Sequence, residues 1–304
     1  MGILKRISLF ILLNFLVIAM VSIVLNLLNV RPYLNAHGLD YRSLLIFCFV
    51  WGMSGAFISL ALSRKMAHWM MGVQLIDPNT RNGTEAKLVQ TVYFLARDAG
   101  LSTMPQVGIF NSNEPNAFAT GPTRSRSLVA VSTGLMARMS ESDLKGVLAH
   151  EITHIANGDM VTMTLLQGVV NAFVMFLARA LAYVISGMGK NRNNSSSGNY
   201  GSFMILTFLF EIVFMVLGSL LICAFSRYRE FRADGGGARL AGKESMIGAL
   251  RTLQSLQEIR DPKTESPAMA ALKISHPTKK GLIRFFATHP PLEERIERLK
   301  TGNY

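Results

Sequence analysis

The stretch His150-Glu151-Ile152-Thr153-His154 places two histidines four residues apart, with a glutamate directly after the first. On an α-helix, positions i and i+4 lie one turn apart on the same face, so both imidazoles can bind one metal ion. The glutamate lies beside them, close enough to act on a water molecule at that ion without being a ligand. This H-E-x-x-H pattern is typical of zinc-dependent peptide hydrolysis. The stretch therefore predicts a helical zinc site with Glu151 as the catalytic base.

The chain around this motif is apolar and basic. Hydrophobic residues make up 50% of its 304 residues and charged residues only 16%, whereas soluble domains carry about 25% charged residues. The formal net charge is +12, and the basic residues gather beside long apolar runs. That pattern favours anchoring at an anionic membrane surface over nucleic-acid binding. Cys48 and Cys223 each lie inside an apolar run, so neither is expected to form a disulfide or bind zinc.

Four apolar segments divide the chain, at about residues 8–28, 44–63, 164–187 and 202–225. The first is longer than the apolar part of a signal peptide, so we expect an uncleaved anchor. We predict a transmembrane hairpin at 1–64, a first part of the catalytic domain at 65–163, a second apolar hairpin at 164–225 and a second catalytic part at 226–304.

Basic residues flank the first hairpin at both ends: Lys5, Arg6, Arg64 and Lys65. The connection between its two apolar segments carries Arg31 and Arg42, so the bias is real but moderate. Cytoplasmic loops carry the excess of Lys and Arg. We therefore expect both ends of the hairpin, and the catalytic motif, to face the cytoplasm.

The second hairpin carries a charged residue in each apolar segment, Arg179 and Glu211. Both lie 16 residues from Ser195, near the middle of the polar turn at 190–199, so an antiparallel hairpin would place them at similar depth. Charge in lipid is costly unless it is paired or faces a cavity. We predict that the two side chains pair or jointly line a polar cleft. The alternative is that this hairpin does not fully span and both side chains face water or protein.

The remaining sequence predicts a small sheet among helices. Expected strands cover 72–76, 106–110, 117–120 and 127–132, and expected helices cover 85–99, the H-E-x-x-H stretch, 244–259 and 292–299. Gly121-Pro122 predicts a turn, and Asn157-Gly158-Asp159 predicts the end of the motif helix. Ser140 followed by Asp143 predicts the start of that helix, with Asp in place of the usual capping-box Glu. Another helix is expected to begin near Phe225.

A third metal ligand is needed, because a catalytic zinc site uses three protein ligands. Glu230 and Asp234 are spaced i, i+4 on the helix expected after the second hairpin. Glu230 would complete a His-His-Glu set, and Asp234, one turn on, would accept a hydrogen bond from the ring N–H of His150. The alternative for Glu230 is a surface pair with a neighbouring arginine.

These residues together resemble the HtpX family of bacterial, heat-shock-linked membrane zinc metalloproteases, which is related to the CAAX prenyl endopeptidases. The resemblance covers nearly the whole chain. Its motifs are Asn-Ala-Phe-Ala-Thr-Gly at 116–121, His-Glu-Ile-Thr-His-Ile-Ala-Asn-Gly-Asp at 150–159, Ser-Arg-x-x-Glu-Phe-x-Ala-Asp at 226–234 and Thr-His-Pro-Pro at 288–291. One departure is Gly235-Gly236-Gly237, where the family is expected to have at least one alanine. Three glycines weaken a helix, so it must be held by packing or loosen there.

The resemblance implies an α-helical membrane protein with an α+β catalytic domain of the gluzincin type and one Zn²⁺ per chain. It implies an endopeptidase of the bacterial inner membrane, facing the cytoplasm and acting in stress response on damaged or misfolded membrane proteins. The implied residues are the ligands His150, His154 and Glu230, the base Glu151, the supporting Asp234 and, near the metal, His289 and Arg295.

Two further roles follow from the resemblance. His289 or Arg295 would stabilise the oxyanion; the alternatives are a helix start at His-Pro-Pro and a surface charge at Arg295. Asn116-Ala117-Phe118-Ala119 would form an edge strand that pairs with extended substrate, unless it is an ordinary inner strand.

Two other functions are alternatives to proteolysis. A zinc-binding membrane transporter would need polar groups at mid-membrane, and a scaffold without proteolytic activity would not need Glu151. The expected partners are the lipid bilayer and unfolded or damaged membrane proteins. The oligomeric state stays open, with a homo-oligomer or an association with other membrane proteases as the options.

Overall fold

The computed structural model describes residues 34–35, 38–186, 196–258 and 281–302, together with Ile23. The helices are α1 (Tyr41–Met71), α2 (Gly83–Asp98), α3 (Thr133–Arg138), α4 (Glu141–Asn157), α5 (Asp159–Ser186), α6 (Ser196–Ala241), α7 (Lys243–Glu258) and α8 (Leu292–Thr301). The strands are β1 (Leu34–Asn35), β2 (Gly38–Leu39), β3 (Gln74–Leu75), β4 (Gln106–Phe110), β5 (Ala117–Thr123) and β6 (Arg126–Ser132). A 3-10 helix covers Gly281–Phe286.

The chain divides into two compact units. The helical unit comprises Met1–Ser59 and Met163–Ile222, and the mixed unit comprises Leu60–Thr162 and Cys223–Tyr304. Helices α1, α5 and the Tyr200–Ala241 part of α6 are long and apolar enough to cross a membrane. They confirm helices at the second, third and fourth apolar segments. The first segment, residues 8–28, lies outside the described residues.

Helix α6 is longer at both ends than the sequence predicts. It begins at Ser196, so the last residues of the predicted polar turn are helical, and residues 190–195 lie outside the described part. The expected helix start near Phe225 is wrong, because α6 continues unbroken to Ala241. The composition changes from apolar to basic near Phe225, which alters the surroundings of the side chains. The sequence there contains no proline and no helix cap, so backbone hydrogen bonding continues.

The mixed unit contains a four-stranded sheet in the order β3-β4-β6-β5. Strand β4 runs parallel to β6, whereas β5 is antiparallel to β6 and lies at the edge. The turn predicted at Gly121-Pro122 is wrong: both residues lie within β5, at an irregularity between Thr120 and Thr123. A Cβ on Gly121 would lie 2.2 Å from the Arg126 carbonyl oxygen, so a glycine is needed here, and proline is tolerated at an irregular edge strand.

The H-E-x-x-H helix α4 packs against the sheet and against α7. The Ser140 hydroxyl accepts a hydrogen bond from the Asp143 N–H, which confirms the predicted helix start. The predicted second half of the capping box is wrong. The Asp143 carboxylate, one methylene shorter than Glu, instead accepts from the Thr252 hydroxyl on α7. Gly158 ends the helix in the left-handed conformation, as expected.

Glycines bring α4 into close contact with two of its neighbouring helices, α6 and α7. A Cβ on Gly236 of α6 would lie 2.2 Å from Thr153 Cγ2, and one on Gly237 would lie 3.2 Å from the backbone N of His150. A Cβ on Gly146 would lie 2.5 Å from the Ser245 carbonyl oxygen on α7. Packing therefore explains two of the three glycines, Gly236 and Gly237: α6 stays helical and approaches the motif helix closely.

Replacing Gly146 with Ala tests this packing. Helix propensity alone would favour alanine by about 1 kcal/mol. Overpacking against a rigid backbone carbonyl costs typically 1–3 kcal/mol or more, so we expect net destabilisation. Gly83→Ala is the matched control, because nothing lies within 4 Å of its added Cβ. Thermal unfolding of the purified protein should show a lower midpoint for Gly146→Ala only; equal midpoints would contradict the close contact.

Candidate metal centre

His150 and His154 lie one turn apart on the same face of α4, and both are buried. Their Nε2 atoms are 3.1 Å apart, and the ring planes are nearly perpendicular, at 88°. Two ring nitrogens thus face one point in the interior of the mixed unit. This is the geometry that the i, i+4 spacing predicts.

Glu230 reaches the same point from α6. Its Oε2 lies 3.3 Å from His150 Nε2, and its Oε1 lies 3.4 Å from His154 Nε2. The side chain is fully buried, and one donor atom from each of the three residues lies within 4.8 Å of the others. The alternative of a surface ion pair is therefore wrong for Glu230, although Arg229 does lie 3.2 Å from its Oε1.

A carboxylate backs each histidine on the side away from that point. Asp234 Oδ1 lies 3.0 Å from His150 Nδ1, the arrangement that the sequence predicts. Asp159 Oδ2 lies 2.6 Å from His154 Nδ1, a partner that the sequence reasoning missed. The signal was present in Asn157-Gly158-Asp159, because a left-handed glycine reverses the chain direction and returns the next residue to the end of the helix.

These contacts direct the free lone pairs of both rings toward one place. A neutral imidazole whose Nδ1 faces a carboxylate carries its proton there, so Nε2 presents a lone pair. Burial lowers the pKa of His150, but hydrogen bonds to Asp234 and Glu230 outweigh burial and raise the pKa to about 9. The point between the rings therefore attracts positive charge, either a proton or a metal ion.

The charge of the surroundings agrees with this conclusion. Four buried carboxylates, from Glu151, Asp159, Glu230 and Asp234, face this region. Among the described residues, the guanidinium groups that pair with them belong to Arg229 and Arg295. A divalent cation would balance the excess negative charge, and two imidazoles with one carboxylate are a common donor set for such an ion. The residues present therefore fit a bound metal ion.

Arg295 of α8 is buried behind His150. Its Nε and Nη2 atoms donate to the two oxygens of Asp234 at 2.8 and 2.6 Å, and Nη2 lies 3.4 Å from His150 Nδ1. The surface-charge alternative is wrong, because the side chain is fully buried. The neighbouring carboxylate of Asp234 raises the pKa of Arg295 despite the opposing effect of burial, so the pair stays ionised.

His289 approaches Glu230 from the segment that precedes α8. Its Nδ1 lies 2.9 Å from Glu230 Oε2. Arg227, three residues before Glu230 in the sequence, donates to the carbonyl oxygens of Phe285 and Ala287, each at 2.8 Å. One helix therefore supplies the carboxylate and also holds the backbone of the segment that brings the histidine to it. The segment is a helix start, as the alternative predicts, since α8 begins directly after Pro291. The oxyanion role of His289 stays a prediction.

Glu151 lies between the histidines and the edge strand. Its Oε2 accepts a hydrogen bond from the Ala119 N–H of β5 at 2.7 Å. Among the described strands, β5 pairs with β6 alone and ends the sheet, so the inner-strand alternative does not describe it. Of the four strand residues that the sequence singles out, Ala119 reaches the site, whereas the buried Phe118 packs on Phe110, with ring centroids 5.6 Å apart. Asn116 is buried, and its N–H donates to the Ser132 hydroxyl.

Comparison with known proteins gives consistent matches. Residues 82–302 match Peptidase family M48. The chain is 49% identical to a Protease HtpX homolog of Bacillus pumilus, over 97% of this chain and 99% of the relative. It is 50% identical to Protease HtpX of Thioalkalivibrio sulfidiphilus, over 97% and 98%. The crystal structure of S. mikatae Ste24p shares the fold, with a TM-score of 0.61 at 17% identity; the match covers 97% of this chain and 64% of that protein.

Removing the Arg295 guanidinium should destabilise the mixed unit strongly. Arg295→Met leaves Asp234 buried without its counter-charge, so we expect a loss of about 3–5 kcal/mol in the free energy of unfolding. Arg298→Met is the matched control on the same helix: this half-exposed arginine lies over the Phe231 ring and should cost less than about 1 kcal/mol. Denaturant unfolding of both variants measures the two losses in free energy of unfolding. Equal losses would show that the buried Arg295–Asp234 pair does not stabilise the fold more than an exposed arginine does.

Proposed function

The chain belongs to peptidase family M48, and we propose that it is a zinc endopeptidase of the bacterial inner membrane that degrades damaged or misfolded membrane proteins. The family and the HtpX relatives make it a membrane-embedded metalloprotease. The identity of the metal, the roles of individual residues, the orientation and the substrate class belong to the proposal.

One observation carries the choice of a metal-dependent hydrolase. The Nε2 lone pairs of His150 and His154 converge with the Glu230 carboxylate, while each Nδ1 is backed by an aspartate. Zinc fits this set, because it accepts nitrogen and oxygen ligands and leaves a fourth position open in catalytic sites. We therefore assign His150, His154 and Glu230 as its ligands, with Asp234 and Asp159 fixing the orientation of the rings.

We assign the steps of the reaction to individual residues of the chain. When bound, zinc polarises the scissile carbonyl and acidifies the attacking water. Glu151 accepts the proton of that water and passes it to the leaving amine. His289, beside Glu230, is the better candidate to donate to the oxyanion, since Arg295 is engaged by Asp234 behind His150. Arg295 acts as a positioning residue for that aspartate.

The edge of β5 supports a route for the substrate. In an antiparallel pair, alternate residues direct both main-chain groups toward the partner strand or both away. The carbonyl of Asn116 faces β6, where it accepts from the Ser132 N–H, and the N–H of Ala119 faces Glu151. By this alternation, the main chains of Ala117 and Ala119 point away from β6. Ala117 is buried, whereas Ala119 is only half-buried, so Ala119 is the residue that an added strand can reach. An extended peptide would add there as a further strand, with little demand on its sequence.

The membrane context supports the cellular role. The basic residues that flank the first hairpin favour a cytoplasmic catalytic domain. An enzyme that binds substrate mainly through main-chain groups accepts many unfolded sequences, which suits quality control. The rival function is a zinc-binding scaffold or transporter without proteolytic activity. It would not require the buried carboxylate of Glu151 next to the metal ligands.

Replacing Glu151 with Gln should abolish proteolysis and leave zinc bound. General-base catalysis contributes about 10²–10⁴-fold, so cleavage of casein should fall by at least about 10²-fold. Glu297→Gln is the control, because its carboxylate is 66% exposed and far from the ligand set in sequence. For each variant, we would measure the rate of casein cleavage with and without a chelator, and the zinc content of the purified protein. Cleavage retained in Glu151→Gln would refute the assigned base.

The Glu151→Gln protein should also hold an uncleaved extended peptide along β5. The expected complex has a peptide main-chain hydrogen bond to Ala119, because its main chain points away from β6 and the residue is only half-buried. A crystal or electron cryomicroscopy structure of the complex shows the outcome. A peptide bound against any other element would remove the strand from the binding site.

Orientation is tested by labelling single cysteines in a variant that lacks Cys48 and Cys223. A membrane-impermeant maleimide should label Cys at Glu141, which is 78% exposed, only in inverted vesicles. Cys at Arg42, an exposed residue in the first turn of α1, should be labelled only in right-side-out cells with a permeabilised outer membrane. The reverse pattern would place the catalytic domain outside the cytoplasm.

A further inference from the structure

A line of polar side chains follows α5 and takes no part in the metal centre. Thr164, Gln167, Asn171 and Arg179 are spaced i, i+3, i+7 and i+15, which keeps them within one face of a helix. At 1.5 Å per residue this polar face extends about 22 Å, most of the hydrocarbon thickness of a bilayer. Such a line within a transmembrane helix is costly in lipid unless its groups are paired or face a cavity.

The polar face of α5 forms one wall of a cavity of about 810 Å³ within the helical unit. Ser59 of α1 and Ser219 of α6 add hydroxyl groups to the other walls. At one end, Arg179 Nη1 donates to Glu211 Oε1 at 2.5 Å, which confirms the pairing predicted from the sequence. Both of these charged side chains also line the cavity, so the pair lies in a cleft whose walls combine these polar groups with a larger number of apolar residues.

Close helix contacts keep this cleft open. A Cβ on Gly52 of α1 would lie 2.7 Å from the Gly168 carbonyl oxygen of α5. A Cβ on Gly218 of α6 would lie 2.7 Å from Val170 Cγ1 of α5. The three helices already touch at these points, so they cannot close further to fill the space beside them.

The walls of the cleft offer hydrogen bonds to an occupant. The side-chain amide of Gln167 donates to the Asn171 carbonyl oxygen at 3.0 Å, a bond that leaves the Gln167 carbonyl and the second Asn171 N–H outside it. Asn171 is exposed although it lies within an apolar helix. Asparagine and glutamine hydrogen-bond readily between helices in membranes. The length of the polar face fits one helix that lies along α5.

We propose that this cleft binds one transmembrane helix of a substrate protein and selects helices that carry a polar side chain within the hydrocarbon. Assembled membrane proteins bury such groups against their own partners, whereas an unassembled or damaged protein exposes them. The cleft would therefore recognise the feature that distinguishes a misfolded membrane protein. The inference rests on the proposed function, since it names the substrate class of that protease.

Site-specific photo-cross-linking tests the cleft without requiring cleavage. The experiment uses full-length, zinc-loaded Glu151→Gln protein in lipid vesicles, with a benzophenone amino acid in place of Met175. Met175 lines the cavity, and its replacement leaves every polar residue of the wall unchanged. Phe173 is the control position, because its side chain is 58% exposed and lies about 200° around the same helix from Met175, away from the cavity. Two single-span probe proteins differ only in a central Asn or Leu. A second position in the cavity wall, Met215 on α6, guards against local misfolding.

We expect cross-links from positions 175 and 215 to favour the Asn probe at least about threefold, and Asn171→Leu to remove that preference. Position 173 should show no preference. Equal yields for both probes, equal yields from 173 and 175, or cross-links only to lipid or to residues 8–28 of the same chain would each overturn the proposal. Casein cleavage by the unmodified protein distinguishes failure of this proposal from failure of the proposed function. If casein is cleaved but the cross-links show no preference, the substrate-binding role of the cleft is refuted; if casein is not cleaved, the proposed protease function is refuted.

Discussion

The mixed unit is organised around the convergence of two imidazole lone pairs and one carboxylate on a single buried point. His150 and His154 come from α4, whereas Glu230 comes from α6 and is separated from them in sequence by the entire second apolar hairpin. Without a cation, this arrangement leaves buried negative charge and two facing lone pairs, which is unfavourable in a protein interior. A bound metal ion removes that cost and ties the two helices together, so metal binding should also support folding of this unit.

Three features of the surroundings serve this one point. The glycines of α6 allow its backbone to approach α4, because any side chain at Gly236 would meet Thr153. Asp234 and Asp159 fix the orientation of the two rings, and Arg295 in turn fixes Asp234. The ion pair behind His150 is fully buried, so it adds rigidity where a catalytic site needs its ligands held in place.

Local rules in the sequence account for much of this arrangement. The i, i+4 spacings gave the shared faces of His150 with His154 and of Glu230 with Asp234, and Ser140 and Gly158 marked the ends of α4. What the sequence could not supply depends on contacts between elements. Asp159 returns to His154 only through a left-handed turn, and the continuity of α6 follows from unbroken backbone bonding across a change of surroundings. Of the polar face of α5, the sequence singles out Arg179 alone, because the role of the uncharged residues depends on the cavity beside them.

X-ray absorption at the zinc edge of the purified full-length protein measures the central arrangement directly. We expect one zinc per chain with nitrogen and oxygen neighbours at about 2.0–2.1 Å and the outer-shell scattering of two imidazoles. Substitution Glu230→Ala should remove one oxygen neighbour or most of the metal, whereas Glu297→Ala should change nothing. A sulfur neighbour at about 2.3 Å, or a spectrum and zinc content unaffected by Glu230→Ala, would contradict the site.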